Sequence, residues 1–155
     1  MVVAVGEPFR RDDGVGPSVV HALEGRVPPD VKLVDRVPDP TALLDVWDGV
    51  RLAVVVDAMC SGRPAGTVLR LEADGLARAV TERPTSSHGF SVRDAFELGL
   101  ALGRLPERLV VYLVEADDLA PGTGLSAGTA AGVEEAARRL AEELSPHRAH
   151  PPVTG

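Results

Sequence analysis

The sequence predicts an α/β fold: a three-layer sandwich in which a mostly parallel, twisted sheet of about five strands carries helices on both faces. Short apolar runs typical of strands alternate with segments in which apolar residues recur at helical spacing. One run, Leu52–Val56, is apolar throughout, which indicates a central strand buried on both faces. The chain has 155 residues, so we expect a single domain at residues 1–145, followed by a disordered tail at 146–155 that is rich in Pro, His and small residues.

The first third of the chain contains three predicted strands and two predicted helices. A helix from about Asp13 to Gly25 has Pro17 in its first turn, where the missing N–H costs little. Asp39 is expected to cap a second helix that has Pro40 at its first position. The strands are predicted at Val2–Val5, Val31–Val34 and Leu52–Val56.

The remainder of the chain adds two strands and two helices. Thr67–Leu71 alternates in polarity, as a half-exposed edge strand does. Ser91 and Asp94 resemble a capping box that opens a helix reaching about Arg104. The last strand and the last helix are predicted at Leu109–Val114 and after a Ser126 cap.

Composition excludes several classes of protein. A formal charge of −7 disfavours nucleic acid as a partner, because its phosphates would be repelled. No apolar run approaches the ~20 residues that span a bilayer, and no signal-like segment precedes the first strand. The single cysteine, Cys60, excludes an internal disulfide and fits a reducing compartment. We therefore expect a soluble cytoplasmic protein, and a monomer, since the helical patterns suggest no exposed apolar seam.

Two carboxylates and one imidazole fall near predicted strand ends. Asp13 follows the first strand, Asp57 ends the central apolar run, and His88 lies in a loop before a helix start. Ligands of open α/β sheets bind outside the carboxyl ends of the strands, so these side chains are expected at one edge. Two oxygen ligands and one nitrogen ligand leave positions open on a divalent ion for a substrate. The set suits nickel, zinc, iron or manganese without choosing among them.

Each of these residues has a structural alternative. Asp12 or Asp13 can cap a helix by accepting N–H bonds at its positive end. Asp57 is harder to explain in that way, because Asp is depleted in strands and a buried unpaired carboxylate is costly. His88, taken alone in a polar loop, is more often without a function than with one. Cys60 is interpreted as a semi-buried thiol and not a nucleophile, because no basic cluster lowers its pKa.

Three common catalytic or binding motifs are absent from the sequence. Ser86 and Ser87 stand beside a histidine, but the chain has no G-x-S-x-G elbow of a serine hydrolase. Gly14 and Gly16 follow a strand, but the G-x-G-x-x-G spacing of a dinucleotide site is absent, as is the G-K-[ST] of a P-loop.

Several short fragments, weak one by one, form a specific ordered set. After Gly6 they are DDGVG at Asp12–Gly16, VVVDA at Val54–Ala58, GRPAGTV at Gly62–Val68, SSH at Ser86–His88 and GLS at Gly124–Ser126. In this order, over nearly the whole chain, they resemble the hydrogenase maturation protease family. The resemblance implies a sheet between helices. It also implies an endopeptidase that removes a C-terminal extension from the nickel-loaded precursor of a nickel-iron hydrogenase large subunit.

The resemblance also implies the site residues. The catalytic and metal-contacting positions of the family fall on Asp13, Asp57 and His88, and the nickel is expected to come with the precursor. Glu7 stands where the family commonly has Asn, so this chain has an additional carboxylate that is a candidate substrate contact. Glu115, at the end of the last predicted strand, is a second such candidate on its position alone.

The mechanism and two rival functions stay open at this point. Nickel can polarise the scissile carbonyl or activate the attacking water. Alternatively, it only registers the substrate, while Asp57 or Glu7 acts as general base. The same side chains would also serve a non-catalytic escort that holds the precursor. A peptidyl-tRNA hydrolase-like enzyme is disfavoured by the acidic balance of the chain.

Overall fold

The computed structural model describes residues 1–79 and 91–146. Its strands are β1 (Val2–Ala4), β2 (Leu33–Val34), β3 (Leu52–Met59), β4 (Val68–Glu72) and β5 (Arg108–Glu115). They form one sheet of five strands in the order β2-β1-β3-β5-β4. All neighbouring strands are parallel except β4, which runs antiparallel along β5 at the edge. The predicted fold class and the predicted edge strand are confirmed.

Helices cover both faces of the sheet. They are α1 (Val15–Ala22), α2 (Leu43–Trp47), α3 (Ala73–Ala79), α4 (Val92–Leu102) and α5 (Ala127–Glu143). Val54 and Val56 of β3 pack with α1 and α5, whereas Ala53 and Val55 pack with α2, α3 and α4. All four side chains are fully buried. The central strand is therefore buried on both faces, as its uninterrupted apolar run predicts.

Local capping chemistry agrees with the sequence in two places. Asp39 accepts the Thr41 and Ala42 amides at 2.8 and 3.3 Å, and Pro40 opens the short 3-10 turn that leads into α2. Ser91 and Asp94 form a complete capping box at the start of α4, with bonds of 2.6 and 3.2 Å between each backbone amide and the other side chain.

Four expectations about the elements are wrong. The first helix is preceded by a 3-10 turn, Arg11–Gly14, and it ends at Ala22, three residues before Gly25. The central strand continues past Val56 to Met59, because β5 remains paired with it that far. Helix α3 has no counterpart in the sequence prediction. The Ser126 side chain makes no cap bond to α5, because it is turned toward Asp12.

The surface of α4 also differs from expectation. Leu100 and Leu102 are 64% and 57% exposed, so this helix presents apolar side chains to solvent. The expectation of a monomer assumed that no such surface exists, and it stays a prediction. No helix of the described residues is long and apolar enough to cross a membrane.

Residues 80–90 and 147–155 lie outside the described part of the chain. The predicted position of His88 and the predicted tail therefore fall outside it, and the division into residues 1–145 and 146–155 stays a prediction.

One glycine sets how closely α1 approaches the sheet. A Cβ on Gly16 would lie 2.5 Å from the carbonyl oxygen of Val5 and 2.7 Å from that of Val56. No larger residue fits there, so the start of α1 rests directly on the backbone just after β1 and on the adjacent middle of β3. The 3-10 turn just before it is thereby held at the same edge of the sheet.

Candidate functional site at the carboxyl edge of the sheet

The strand order reverses between β1 and β3. From β1 the chain passes through α1 to β2 on one side, and β3, β5 and β4 lie on the other side. In open parallel sheets the crevice at such a switch point is where ligands bind. Asp13 follows β1 and Asp57 belongs to β3, so the topology places the two predicted acids on the two sides of this crevice.

Asp57 lies where β3 loses its neighbour on one side. Strand β1 ends at Ala4, opposite Val56, and the Val5 amide makes a last bond to the Val56 carbonyl oxygen at 2.9 Å. Asp57 is the next residue of β3, and it is partly buried. One of its carboxylate oxygens accepts the Ala58 amide at 2.8 Å. The polar residue therefore stands where the sheet opens toward the crevice.

The electrostatic surroundings of Asp57 disfavour its charge. Burial and the negative charge of Asp13 raise the pKa of Asp57 to about 8, despite the hydrogen bond from Ala58. Two nearby carboxylates in a partly dry site share a proton or attract a cation, because both charges together are costly. A pKa perturbed in this way at a crevice is typical of a functional residue.

Asp13 is held by the loop that connects β1 to α1. Its carboxylate accepts the Glu7 amide at 2.9 Å, and its own amide donates to the Arg10 carbonyl oxygen at 3.1 Å. Gly6 has φ +133°, and a Cβ there would overlap the carbonyl oxygen of Asp13. The tight turn after β1 therefore requires glycine and brings the Glu7 amide to the Asp13 side chain.

Asp12 has a different environment from its neighbour. It is fully buried, and its carboxylate accepts the amides of Asp117, Asp118 and Ser126 at 2.9, 2.9 and 2.7 Å. The hydroxyls of Ser126 and Thr129 donate to it at 2.8 and 3.0 Å. Burial raises the pKa of Asp12, but these hydrogen bonds outweigh it and lower the pKa to about 2. Asp12 therefore joins segments that are distant in the sequence. It does not cap the helix that follows it, as the structural alternative assumed.

Glu115 reaches the expected edge, but its side chain serves the neighbouring loop. It is 2% exposed, and its carboxylate accepts the Ser61 amide, the Ser61 hydroxyl and the Gly62 amide at 2.8, 2.6 and 3.0 Å. These bonds hold the loop that follows β3. Both of its oxygens are engaged within the protein, and the candidate substrate contact at Glu115 stays a prediction.

Glu7 contributes to the site chiefly through its backbone. Its carboxylate pairs with Arg36 at 2.8 Å and accepts the Phe9 amide at 3.2 Å. The group that it offers to Asp13 is its amide. The Glu7 carboxylate, which replaces the Asn common in the family, is therefore paired with Arg36.

Phe9, next in this loop, was not among the residues singled out by the sequence. It is 69% exposed beside the acidic edge. Aromatic residues make up only 3% of the chain, and this one stands in a polar loop between a strand and an acid pair. An aromatic residue in a polar loop next to an acid pair is the feature of the sequence that could have marked Phe9 as a candidate site residue.

Cys60 is exposed as a residue, more than the sequence suggested, while its sulfur is partly covered. Partial burial of the sulfur and four surrounding carboxylates raise the pKa of the Cys60 thiol; these are Glu115, Asp13, Asp12 and Asp57. The thiol is therefore kept protonated, which is unfavourable for a nucleophile. The same four carboxylates make this edge strongly acidic.

The imidazole of the predicted triad lies outside the described residues, since His88 belongs to the segment at 80–90. Within residues 1–79 and 91–146, no group of three or more His, Cys, Asp or Glu side chains has the arrangement of a metal site. Asp13 and Asp57 thus lie on the two sides of the crevice, and the predicted set of three stays a prediction.

A separate cleft of about 220 Å³ lies at the opposite edge of the sheet, lined by residues that include Phe96 and Leu105. The ion pair between Glu72 and Arg108, at 2.6 Å, belongs to the same wall. The cleft contains none of the predicted site residues, so its position does not bear on the acidic edge. The fold and the site together define an α/β protein with a carboxylate pair at the switch point of its sheet.

Comparison with protein families identifies the group to which this chain belongs. The model of the hydrogenase maturation protease family, HycI, matches residues 17–143. The match covers most of the sequence, so the chain belongs to the hydrogenase maturation protease family.

Individual relatives agree with this assignment. The hydrogenase expression/formation protein HupD of Thiocapsa roseopersicina is 30% identical over 123 residues, which are 76% of this chain and 56% of that protein. This chain thus spans little more than half the length of that relative. The hydrogenase 2 maturation protease of Escherichia coli is 25% identical over 146 residues, covering 93% of this chain and 89% of that protein. Among solved structures, the hydrogenase maturating endopeptidase HybD from E. coli superposes with a TM-score of 0.71 at 26% identity, covering 90% of this chain and 88% of HybD.

Proposed function

We propose that this protein removes a C-terminal extension from the nickel-loaded precursor of a nickel-iron hydrogenase large subunit and so completes its maturation in the cytoplasm. Membership of the family supports the class of reaction. The observation that supports the site is that Asp13 and Asp57 lie on the two sides of the switch point, where burial of Asp57 and, less strongly, the charge of Asp13 raise the pKa of Asp57. The partner is the precursor, and its nickel is part of the substrate.

The carboxylate pair suits a cation delivered by the substrate. Two like charges in a partly buried crevice are costly alone, and a divalent ion between them removes that cost. We propose that Asp13 and Asp57, together with His88, contact the nickel of the precursor. The ion then marks the correct substrate and polarises the scissile carbonyl or an attacking water.

The raised pKa also keeps a second role open for Asp57. A carboxyl group whose pKa of about 8 lies near the working pH exchanges a proton readily, which suits general acid–base catalysis. In that case Asp13 keeps the metal contact, and Asp57 takes the proton from the attacking water. The two roles differ in their effect on binding, because only a metal contact at Asp57 contributes to holding the precursor.

Phe9 offers an apolar contact for the precursor beside the acids. Its ring is 69% exposed on the loop whose Glu7 amide binds Asp13. Covering such a ring removes apolar surface from water, which stabilises a complex without affecting the chemical step. We propose that Phe9 packs on the precursor chain close to the bond that is cut.

The intact mass of a nickel-loaded precursor, measured before and after incubation with the protein, tests this function. Nickel-free precursor and an Asp57→Ala variant run in parallel. A single C-terminal loss that needs both nickel and Asp57 is the expected result. A precursor that stays at full length in a stoichiometric complex contradicts the protease and favours the escort. If several precursors are neither cut nor bound, the precursor is not the substrate.

A further inference from the structure

The Asp12 carboxylate is the point at which three segments of the chain meet. We call it, with its partners, the Asp12 junction: Asp12, the amides of Asp117 and Asp118, Ser126 and Thr129. The segments are the 3-10 turn before α1, the turn after β5 and the start of α5. All five donors point at two oxygens of one fully buried side chain. Placing a carboxylate there is favourable only because every donor is supplied.

Backbone bonds reinforce the junction on both sides. The Asp12 amide donates to the Asp118 carbonyl oxygen at 3.0 Å, and the Arg11 amide donates to the Gly122 carbonyl oxygen at 3.1 Å. The Gly122 amide returns a bond of 2.9 Å to the Phe9 carbonyl oxygen. The loop before α1 is therefore paired along its length with the loop after β5, and the Asp12 side chain is the buried centre of that pairing.

Asp13 is the next residue along the chain, so the junction determines where its backbone lies. Adjacent Cα atoms are separated by a fixed ~3.8 Å across a planar peptide. Once the Asp12 side chain points into the protein, Asp13 starts from a fixed point, and the Glu7 amide then orients its carboxylate at 2.9 Å. Asp57 is carried by the central strand, so the separation of the two site acids depends on how well this loop is held.

We propose that Asp12 is a positioning residue of the site: by anchoring the loop before α1, it sets the placement of the Asp13 carboxylate relative to Asp57. The inference rests on the proposed function for its catalytic consequence, because the reaction assigned above uses that pair. Its structural part, the placement of Asp13, stands on the junction alone.

The junction requires a carboxylate and not merely a polar group of the same shape. All five groups in contact with the Asp12 oxygens are donors, so an asparagine there turns an NH₂ group toward donors and leaves at least one of them unpaired. The substitution Asp12→Asn therefore loosens the loop while keeping the side-chain volume. Thr129→Val is milder, because it removes one hydroxyl and leaves four donors.

Tyr112→Phe provides a matched control. The Tyr112 hydroxyl donates to a Glu143 oxygen at 2.6 Å, and the ring is 2% exposed between β5 and α5. Its removal, like that of the Thr129 hydroxyl, deletes a hydroxyl that donates to a carboxylate; the Thr129 hydroxyl also lies 3.2 Å from the Glu115 carbonyl oxygen and 3.0 Å from the Ser126 hydroxyl. It does so away from the Asp12 junction, so it reports the effect of lost stability by itself.

Two measurements on wild type and variants test the inference. The first is kcat and KM for cleavage of the nickel-loaded precursor. We expect Asp12→Asn to lower kcat by about 100-fold, as displacement of a catalytic group by about 1 Å does, with KM changed less than about threefold. Thr129→Val should lower kcat by about threefold, and Tyr112→Phe should leave both constants unchanged.

The second measurement is hydrogen exchange at the Glu7 amide, whose partner is the Asp13 carboxylate. Exchange should accelerate by about tenfold in Asp12→Asn and remain as in wild type in Tyr112→Phe. This readout does not need the precursor. If wild type fails to cut but the Glu7 amide loses protection in Asp12→Asn, the proposed function fails and the positioning role stands.

The inference is overturned if Asp12→Asn keeps the Glu7 amide protected, or if it cuts with wild-type kcat while Asp57→Asn does not. If Asp12→Asn fails to fold, Thr129→Val decides the matter: faster Glu7 exchange than in Tyr112→Phe supports the inference, and equal exchange overturns it.

Discussion

Asp12 and Asp57 are two carboxylates at the same edge of one sheet, and they have opposite electrostatic states. Asp12 is fully buried and accepts five hydrogen bonds, and its pKa is about 2. Asp57 is partly buried and accepts the Ala58 amide beside the charge of Asp13, and its pKa is about 8. The acid with no exposed surface is the one that ionises more easily. Burial alone therefore does not decide the charge of a side chain; the supply of donors decides it.

The difference separates a structural acid from a functional one. The charge of Asp12 is compensated within the protein, so it needs nothing from outside. The charge of Asp57 is not compensated in this way. Ionising Asp57 therefore costs free energy, and binding a cation or a proton removes that cost. Costs of this kind are typical of active sites, where stability is lower than it would be with a neutral side chain.

The largest expected effect is on cleavage. Asp57→Asn should lower kcat for the nickel-loaded precursor by roughly 1,000-fold or more, because it removes a charge that contacts the metal or accepts the proton. The intact mass of the precursor over time measures this. Asp45→Asn, the same change at an exposed ion pair with Arg104, is the control and should cut like wild type. If Asp57→Asn cuts at the wild-type rate, Asp57 does not take part in the cleavage reaction.

The next effect concerns the stability contributed by Asp12. Its pKa in the folded protein lies below the unfolded value of 3.8, so its contribution is present above that pH and is lost as the pH falls through about 2. At pH 7, Asp12→Asn should lower the free energy of unfolding by about 2 kcal/mol. The difference between the free energies of unfolding of wild type and variant should be smaller at pH 2. Urea unfolding at both pH values measures it. If the difference in free energy of unfolding between the two proteins is the same at both pH values, the charge of Asp12 is not what stabilises the junction.

The opposite sign is expected for Asp57. Its pKa in the folded protein lies above 3.8, so the protonated form favours folding, and that stability is lost as the pH rises from about 4 through about 8. Asp57→Asn should therefore be more stable than wild type at pH 8 and no more stable at pH 4. Thermal unfolding of both proteins at the two pH values gives the comparison. If wild type and Asp57→Asn melt at the same temperature at pH 8, the ionisation of Asp57 does not destabilise the fold, and Asp57 and Asp12 do not have opposite effects on stability.

The smallest effect is expected at Phe9, on the loop that leads from β1 to Asp12 and Asp13. Phe9→Ala should raise KM for the precursor by about fivefold and leave kcat within about twofold, since a ring covered by the substrate contributes binding and not chemistry. Leu100→Ala, at a side chain of comparable exposure on α4, serves as the control. A fall in kcat without a change in KM would mean that Phe9 supports the loop and does not contact the substrate.

Sequence reasoning succeeded where the deciding interactions are local or periodic. The alternation of apolar runs and helical stripes predicted the sheet and its two helical layers. The caps at Asp39 and at Ser91 were predicted because their partners lie two or three residues away. Asp57 stood out for a related reason: a carboxylate directly after four buried apolar residues is costly wherever the strand goes. The sequence left the mechanism open, and the pair formed with Asp13 does not decide it.

Only the tertiary structure separated Asp12 from Asp13. The partners of Asp12 lie 105 to 117 positions away along the chain, so no local pattern indicates which of two adjacent acids turns inward. The same contacts turn Ser126 toward Asp12 and away from a helix cap, and Glu115 is likewise engaged by a loop more than 50 residues earlier. Local chemistry and hydrophobic period determined the elements and the edge at which the acids lie. The ionisation of each acid was decided by donors that only the folded chain brings to it.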